Sequence, residues 1–240
     1  MQWQMKLNPE KCVTLRCTRS PTPHKTTYLI NEQLLQVVDQ HVYLGVKLHS
    51  SMSWSHHIQA LINKATKMLN FAKRTLYKCD TKVKATAYTT LVRPILEYAT
   101  VVWDPYQQYL INNIEMVQRR AARWVKQEYG ITTSVTSILN NLKWSTLSKR
   151  WQYSRLILFF KFLHHNPPVI TIPNHYLPST MSHCTRSTHY LHYIPPSSSM
   201  TYLQKSFFPC TIIDWNNLPI HIIESDTLDH FINSLSTTDI

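Results

Sequence analysis

Glycine is almost absent: Gly45 and Gly130 are the only two in 240 residues. A phosphate cradle built from several closely spaced glycines is therefore excluded. Acids are scarce as well, 13 against 25 lysines and arginines, and no two of them are adjacent in the chain. Two-metal phosphoryl transfer needs carboxylates that converge on cations ~4 Å apart, so no catalytic residue is assigned. The nearest acidic group, Glu224, Asp226 and Asp229, sits where Ser225 or Asp226 reads as a helix cap. There is no Gly-x-Ser-x-Gly elbow and no Cys-Gly context, which leaves nucleophilic catalysis without a frame.

Long apolar runs are missing too, and the opening residues 1–11 lack the apolar stretch of a signal peptide. The expectation is an intracellular protein, cytoplasmic or nuclear, with no membrane partner. Cysteines number five and are scattered, unlike a disulfide framework. Zinc ligation is poorly served: Cys12 and Cys17 fall on opposite faces of a strand pattern, and His183, Cys184, His189, His192 and Cys210 lack a clean Cys-x-x-Cys. No metal site is assigned.

What the chain does have is a core-forming composition, 43% hydrophobic and 11% aromatic, under a net charge of +12. That balance suits a polyanion, nucleic acid first. Residues 56–130 carry twelve bases and five acids, residues 131–165 five bases and no acid, and residues 166–240 two bases and five acids. Proline, serine, threonine and histidine crowd residues 166–199, a signature of irregular chain.

Alternation over residues 11–18, 27–30 and 42–48 predicts three short antiparallel strands, with Gly45 marking a bulge or a close backbone approach. Helix dominates afterwards. Ser55 is placed as the cap of a helix to about Cys79, with Ile58, Leu61, Ile62, Ala65, Met68, Leu69, Ala72 and Leu76 on one face. Lys64, Lys67, Arg74 and Lys78 fall opposite, with Phe71 among them. Such a stripe is also what an ordinary solvated helix face shows.

Asp80 caps the next predicted helix, through Val83, Ala87 and Leu91, with Pro94 ending or kinking it before residues 95–103. A further seam runs through Leu110, Ile114, Val117, Ala121 and Trp124, with Gly130 as its C-cap and Arg119, Arg120, Arg123 and Lys126 in its last turns. Cations there complement the helix dipole, yet four in eight residues exceed that need. Helical patterns continue over residues 135–144, 147–163, 202–215 and 227–235.

Six boxes then occur in order: Leu7-Asn8-Pro9-Glu10-Lys11-Cys12, Tyr43-Leu44-Gly45-Val46, Ser53-Trp54-Ser55-His56-His57-Ile58, Leu91-Val92-Arg93-Pro94-Ile95-Leu96-Glu97-Tyr98-Ala99, Val102-Trp103-Asp104-Pro105 and Val117-Gln118-Arg119-Arg120-Ala121-Ala122-Arg123. Together with Ser206-Phe207-Phe208-Pro209 and Asp214-Trp215-Asn216-Asn217-Leu218-Pro219, they resemble the C-terminal part of reverse transcriptases from non-LTR retrotransposons of the LINE, jockey or CR1 type. The resemblance covers nearly the whole chain.

It implies that Tyr43, Leu44, Gly45 and Val46 form a primer-grip-like hairpin, and that the following helices resemble the thumb, which holds template and primer. The fingers, most of the palm and its Ala-Asp-Asp box would lie upstream. No catalysis is expected from this chain alone. No cofactor is expected in it either, magnesium belonging to a complete parent polymerase. The expected fold is mostly α, with a small N-terminal antiparallel β element, a thumb-like helical bundle and an irregular Pro-rich C-terminal region. The expected divisions are a palm-end and primer-grip-like segment (residues 1–54), a basic helical bundle (55–165), a Pro/Ser/His-rich linker (166–201) and a short helical region (202–240).

The expected function is sequence-independent binding of RNA or RNA–DNA duplex through Lys64, Lys67, Phe71, Arg74, Lys78, Arg119, Arg120, Arg123 and Lys126. The alternative is a degenerate remnant, or a helical protein-interaction scaffold without a specific nucleic-acid role.

Overall fold

The computed structural model describes residues 8–18, 20, 22, 24–130, 132–164, 191–195 and 197–238. Among the described residues the chain is mostly helical, with short strands in its N-terminal part. Most of the predicted Pro-rich linker, with His183, Cys184 and His189, lies outside the described residues.

After a 3-10 turn at Pro9–Lys11, capped by the Asn8 side chain, the strands are β1 (Val13–Leu15), β2 (Leu29–Ile30), β3 (Gln33–Leu34), β4 (Gln36–Val38), β5 (Gln40–Tyr43) and β6 (Val46–His49). They form three two-stranded sheets. β2–β3 and β5–β6 are antiparallel, but β1 pairs with β4 in parallel, Thr14 opposite Val37. Alternation reports which residues share a face and not strand direction; the intervening β2–β3 hairpin gives the chain the length a parallel return requires. The predicted strand over residues 42–48 is instead a hairpin folded at Leu44 and Gly45, whose φ values of 46° and 80° are those of a type I′ turn.

Helix α1 (Ser55–Thr75) buries Ile58, Leu61, Ala65, Leu69 and Ala72, as its spacing predicts. Ser55 is its first residue rather than its cap; Ser53 Oγ accepts from the Ser55 amide at 3.4 Å. Asp80 does cap α2 (Thr81–Ala87), accepting from the Val83 amide at 2.8 Å. The next turn is a π turn (Tyr88–Val92) that leads into α3 (Arg93–Glu97), where Pro94 sits in the first turn and needs no amide partner. Of the predicted face, Ala87 is buried while Val83 and Leu91 are exposed; within the wider turn it is Tyr88 and Val92, rather than Leu91, that enter the core. Residues 95–103 are not one helix: Ala99 adopts φ 53° and α4 (Thr100–Trp103) begins anew.

α5 (Gln108–Lys126) ends on Gln127 in the left-handed region, with the Glu128 amide bonded to the Arg123 carbonyl at 3.1 Å. The cap is therefore Gln127, three residues before Gly130. α6 (Val135–Asn141) and α7 (Leu147–His164) follow. Beyond Tyr193 come α8 (Thr201–Gln204), α9 (Phe207–Asn216), α10 (Ile220–Ile223) and α11 (Leu228–Thr237). The break between α8 and α9 falls at Lys205 and Ser206, where sequence periodicity predicted one helix. Thr227 caps α11, its hydroxyl accepting from the His230 amide at 3.2 Å; neither Ser225 nor Asp226 does so.

α7 joins two cores. Its Leu147 and Trp151 pack with Ile58, Leu96, Trp103 and Ile114, whereas Leu156, Phe159 and Phe160 pack with Ile212, Trp215, Ile222 and Phe231. Each large side chain so buried contributes ~1.5–3 kcal/mol.

Candidate nucleic-acid interface

The Tyr43–Val46 turn stands on the first core. Val46 is buried, Tyr43 and Leu44 are exposed, and Tyr98 donates its hydroxyl to the Leu44 carbonyl at 2.8 Å. A cavity of about 370 Å³ opens beneath the turn, lined in part by Gly45, Lys47, His57, Lys64 and Tyr98. The first cation of the α1 stripe thus shares a cavity with the turn. His57 is buried; its Nδ1 accepts the Lys47 amide at 3.1 Å, and Nε2 is left without a partner. Burial, aided by the Lys47 charge, holds its pKa below the ordinary value.

Lys67, Phe71 and Arg74 lie exposed on the outer face of α1, Phe71 at 52%. Lys78 is exposed in the turn past the helix end, its ammonium 5.5 Å from the Tyr77 ring. On the flank toward α5 lies Lys73, half-buried, whose pKa is lowered by burial and by the charge of Arg120. α1 and α5 pack against each other, and their cations meet there.

The four cations of α5 do not act as one stripe. Arg120 faces Lys73 and reaches the Met116 sulfur. Arg119 lines a separate cavity of about 740 Å³ between α5, α6 and α7. Arg123 donates to the carbonyls of Glu128, Gly130 and Thr133 at 3.1–3.3 Å, fastening the chain that leaves α5. Lys126 is half-buried in the last turn. Residues 100° apart on a helix point to different neighbours, so adjacency in sequence separated Arg119 from Arg120.

The bases of residues 131–165 divide similarly. Arg150 pairs with Glu97, and Arg155 with both Asp104 and Asp214. Lys143 and Lys149 line the cavity that Arg119 enters. Sequence reasoning missed Lys73 and the grouping of Arg119, Lys143 and Lys149; the acid-free composition of residues 131–165 was the available signal.

Among the described residues, no three His, Cys, Asp or Glu side chains are grouped to hold a metal ion, and no helix is long and apolar enough to cross a membrane.

The described residues form a mostly helical chain with a basic, aromatic-bearing outer face on α1 and a hairpin turn beside its first cation. The particular resemblance is to the reverse transcriptases of non-LTR retrotransposons. The chain is 31% identical over 130 residues to the RNA-directed DNA polymerase from mobile element jockey of Drosophila funebris. It is 26% identical over 129 residues to the probable RNA-directed DNA polymerase from transposon BS of Drosophila melanogaster. Each match covers 51% of this chain and 14% of the relative. No family profile matches the chain. No solved structure matches it.

Proposed function

We propose that this chain is the template-primer-binding, C-terminal portion of a retrotransposon RNA-directed DNA polymerase, and that it has no polymerase activity by itself. The partner is RNA or RNA–DNA duplex, held largely without regard to sequence. Lys64, Lys67, Arg74 and Lys78 contact backbone phosphates, Arg120 extends that surface across Lys73, and Phe71 offers a stacking face. The observation that supports this reading is that Lys64, the first cation of the stripe, and the Gly45 turn line one cavity. Arg123 is left out, because its guanidinium is engaged by three carbonyls.

The test compares two sets of four charges in duplex-binding titrations across salt. Changing Lys64, Lys67, Arg74 and Lys78 to Gln removes the stripe; changing the exposed Lys25, Lys82, Lys161 and Lys205 removes equal charge elsewhere. The stripe set is expected to lose far more affinity and to flatten the salt dependence by ~0.9 for each phosphate left unneutralised on a B-form duplex. Phe71→Ala is expected to weaken binding at an unpaired end by ~1–3 kcal/mol. Equal losses from both sets, with Phe71→Ala silent, would favour a remnant or scaffold.

A further inference from the structure

The cavity between α5, α6 and α7 is separate from the α1 stripe. Arg119, Lys143 and Lys149 bring three cations to its lining, and Glu115 is the single acid there. Its carboxylate accepts the Ser148 amide at 3.1 Å at the start of α7 and also feels the charge of Arg119, so Lys143 and Lys149 carry the cationic excess. Thr136, Asn140, Ser145 and Thr146 supply hydrogen-bonding groups.

Lys143 is the informative residue. α6 closes with the Trp144 amide on the Leu139 carbonyl at 2.9 Å and the Lys143 amide on the Asn140 carbonyl at 3.0 Å. That pattern places Lys143 in the left-handed region, φ 55°, where glycine is the usual occupant because a Cβ is unfavourable. The chain instead carries a strained lysine whose side chain lines the cavity. Trp144 adds an aromatic wall, braced by stacking on the Tyr88 ring at 4.4 Å.

We infer that this cavity is a second nucleic-acid site, which takes a single-stranded segment with its phosphate on Arg119, Lys143 and Lys149 and an unpaired base against Trp144. Its volume of about 740 Å³ is that of a ligand cleft. The inference rests on the reading that the chain binds nucleic acid, but assigns a different strand to a different place.

Lys143→Gly separates binding from folding, since it removes the cation and relieves the strained backbone together. The full chain, Lys143→Gly, Arg119→Gln and the control Lys82→Gln are titrated with a labelled twelve-nucleotide oligouridylate and with a twelve-base-pair RNA duplex, alongside thermal melts. Expected for Lys143→Gly are a raised melting temperature, oligouridylate binding weakened about 10-fold, and a salt slope shallower by ~0.7. Duplex binding should change by less than about 3-fold, Arg119→Gln should follow the same pattern, and Lys82→Gln should change neither. Undiminished oligouridylate binding by a stabilised Lys143→Gly, or equal losses on strand and duplex, overturns the second site while leaving duplex binding by α1 intact. Failure of the unaltered chain to bind either probe overturns both readings.

Discussion

The Tyr98 hydroxyl donates to the Leu44 carbonyl at 2.8 Å, across 54 residues of sequence, and holds the β5–β6 turn against the end of α3. The same ring sets the limit on Gly45, where an added Cβ would lie 3.2 Å from Tyr98 Cε1 at a φ of 80°. Gly45→Ala is therefore expected to destabilise by ~1–2 kcal/mol through the left-handed backbone. Tyr98→Phe should cost less, ~0.5–1 kcal/mol, because the lost hydrogen bond is exposed. Thermal or denaturant unfolding of both variants checks the order.

Arg155 ties two of the sequence boxes together: its guanidinium pairs with Asp104, just after α4, and with Asp214 of α9, the latter at 2.8 Å. The arginine is 8% exposed, so its removal leaves two carboxylates without their cation in a poorly hydrated site. Arg155→Gln is expected to destabilise by ~3 kcal/mol, against less than ~0.5 kcal/mol for Lys67→Gln on the open face of α1. Equal midpoints for the two variants in urea would refute the assignment.

His57 gives the fold a dependence on acidity. Its folded pKa lies below the unfolded value near 6.5, chiefly through burial, so the unfolded chain binds the extra proton first. The contribution is complete above pH ~6.5 and is lost as pH falls toward the folded pKa. His57→Asn retains an acceptor for the Lys47 amide without titrating. It should lose stability less steeply than the parent below pH ~6.5 in melts taken stepwise through that range.

Strands of two to four residues in two-stranded sheets, with Leu29, Leu34, Val42 and Tyr43 exposed, have little packing to protect them. Amide exchange is expected to be far faster in β1–β6 than in α1. Comparable protection of the two would contradict that ordering.

On the proposed reading, no extension of a primed RNA template is expected from the purified chain with nucleotides and magnesium or manganese; among the described residues no acids are grouped to hold a metal ion. Template-dependent product above a no-protein control would sink the proposal of a binding portion without catalysis.

Helical periodicity alone determined the buried faces of α1 and α5, since residues three and four apart share a face whatever the rest of the chain does. The Asp80 cap was legible for the same local reason: its carboxylate meets an amide three residues on. The sequence also marked Gly45 as a place of close backbone approach, but not the residue approaching it. Only tertiary structure decided that β1 and β4 run parallel, that Tyr88 and Val92 rather than Leu91 are buried across the π turn, and that Lys84 is buried at 1% exposure. It alone supplied the different neighbours of Arg119 and Arg120, engaged Arg123 with three carbonyls and set Arg155 between Asp104 and Asp214. A hydrophobic pattern records which side of an element is dry. Where a long cation goes depends on which carboxylates, carbonyls and cavities other elements bring within its reach, and those come from residues tens of positions away.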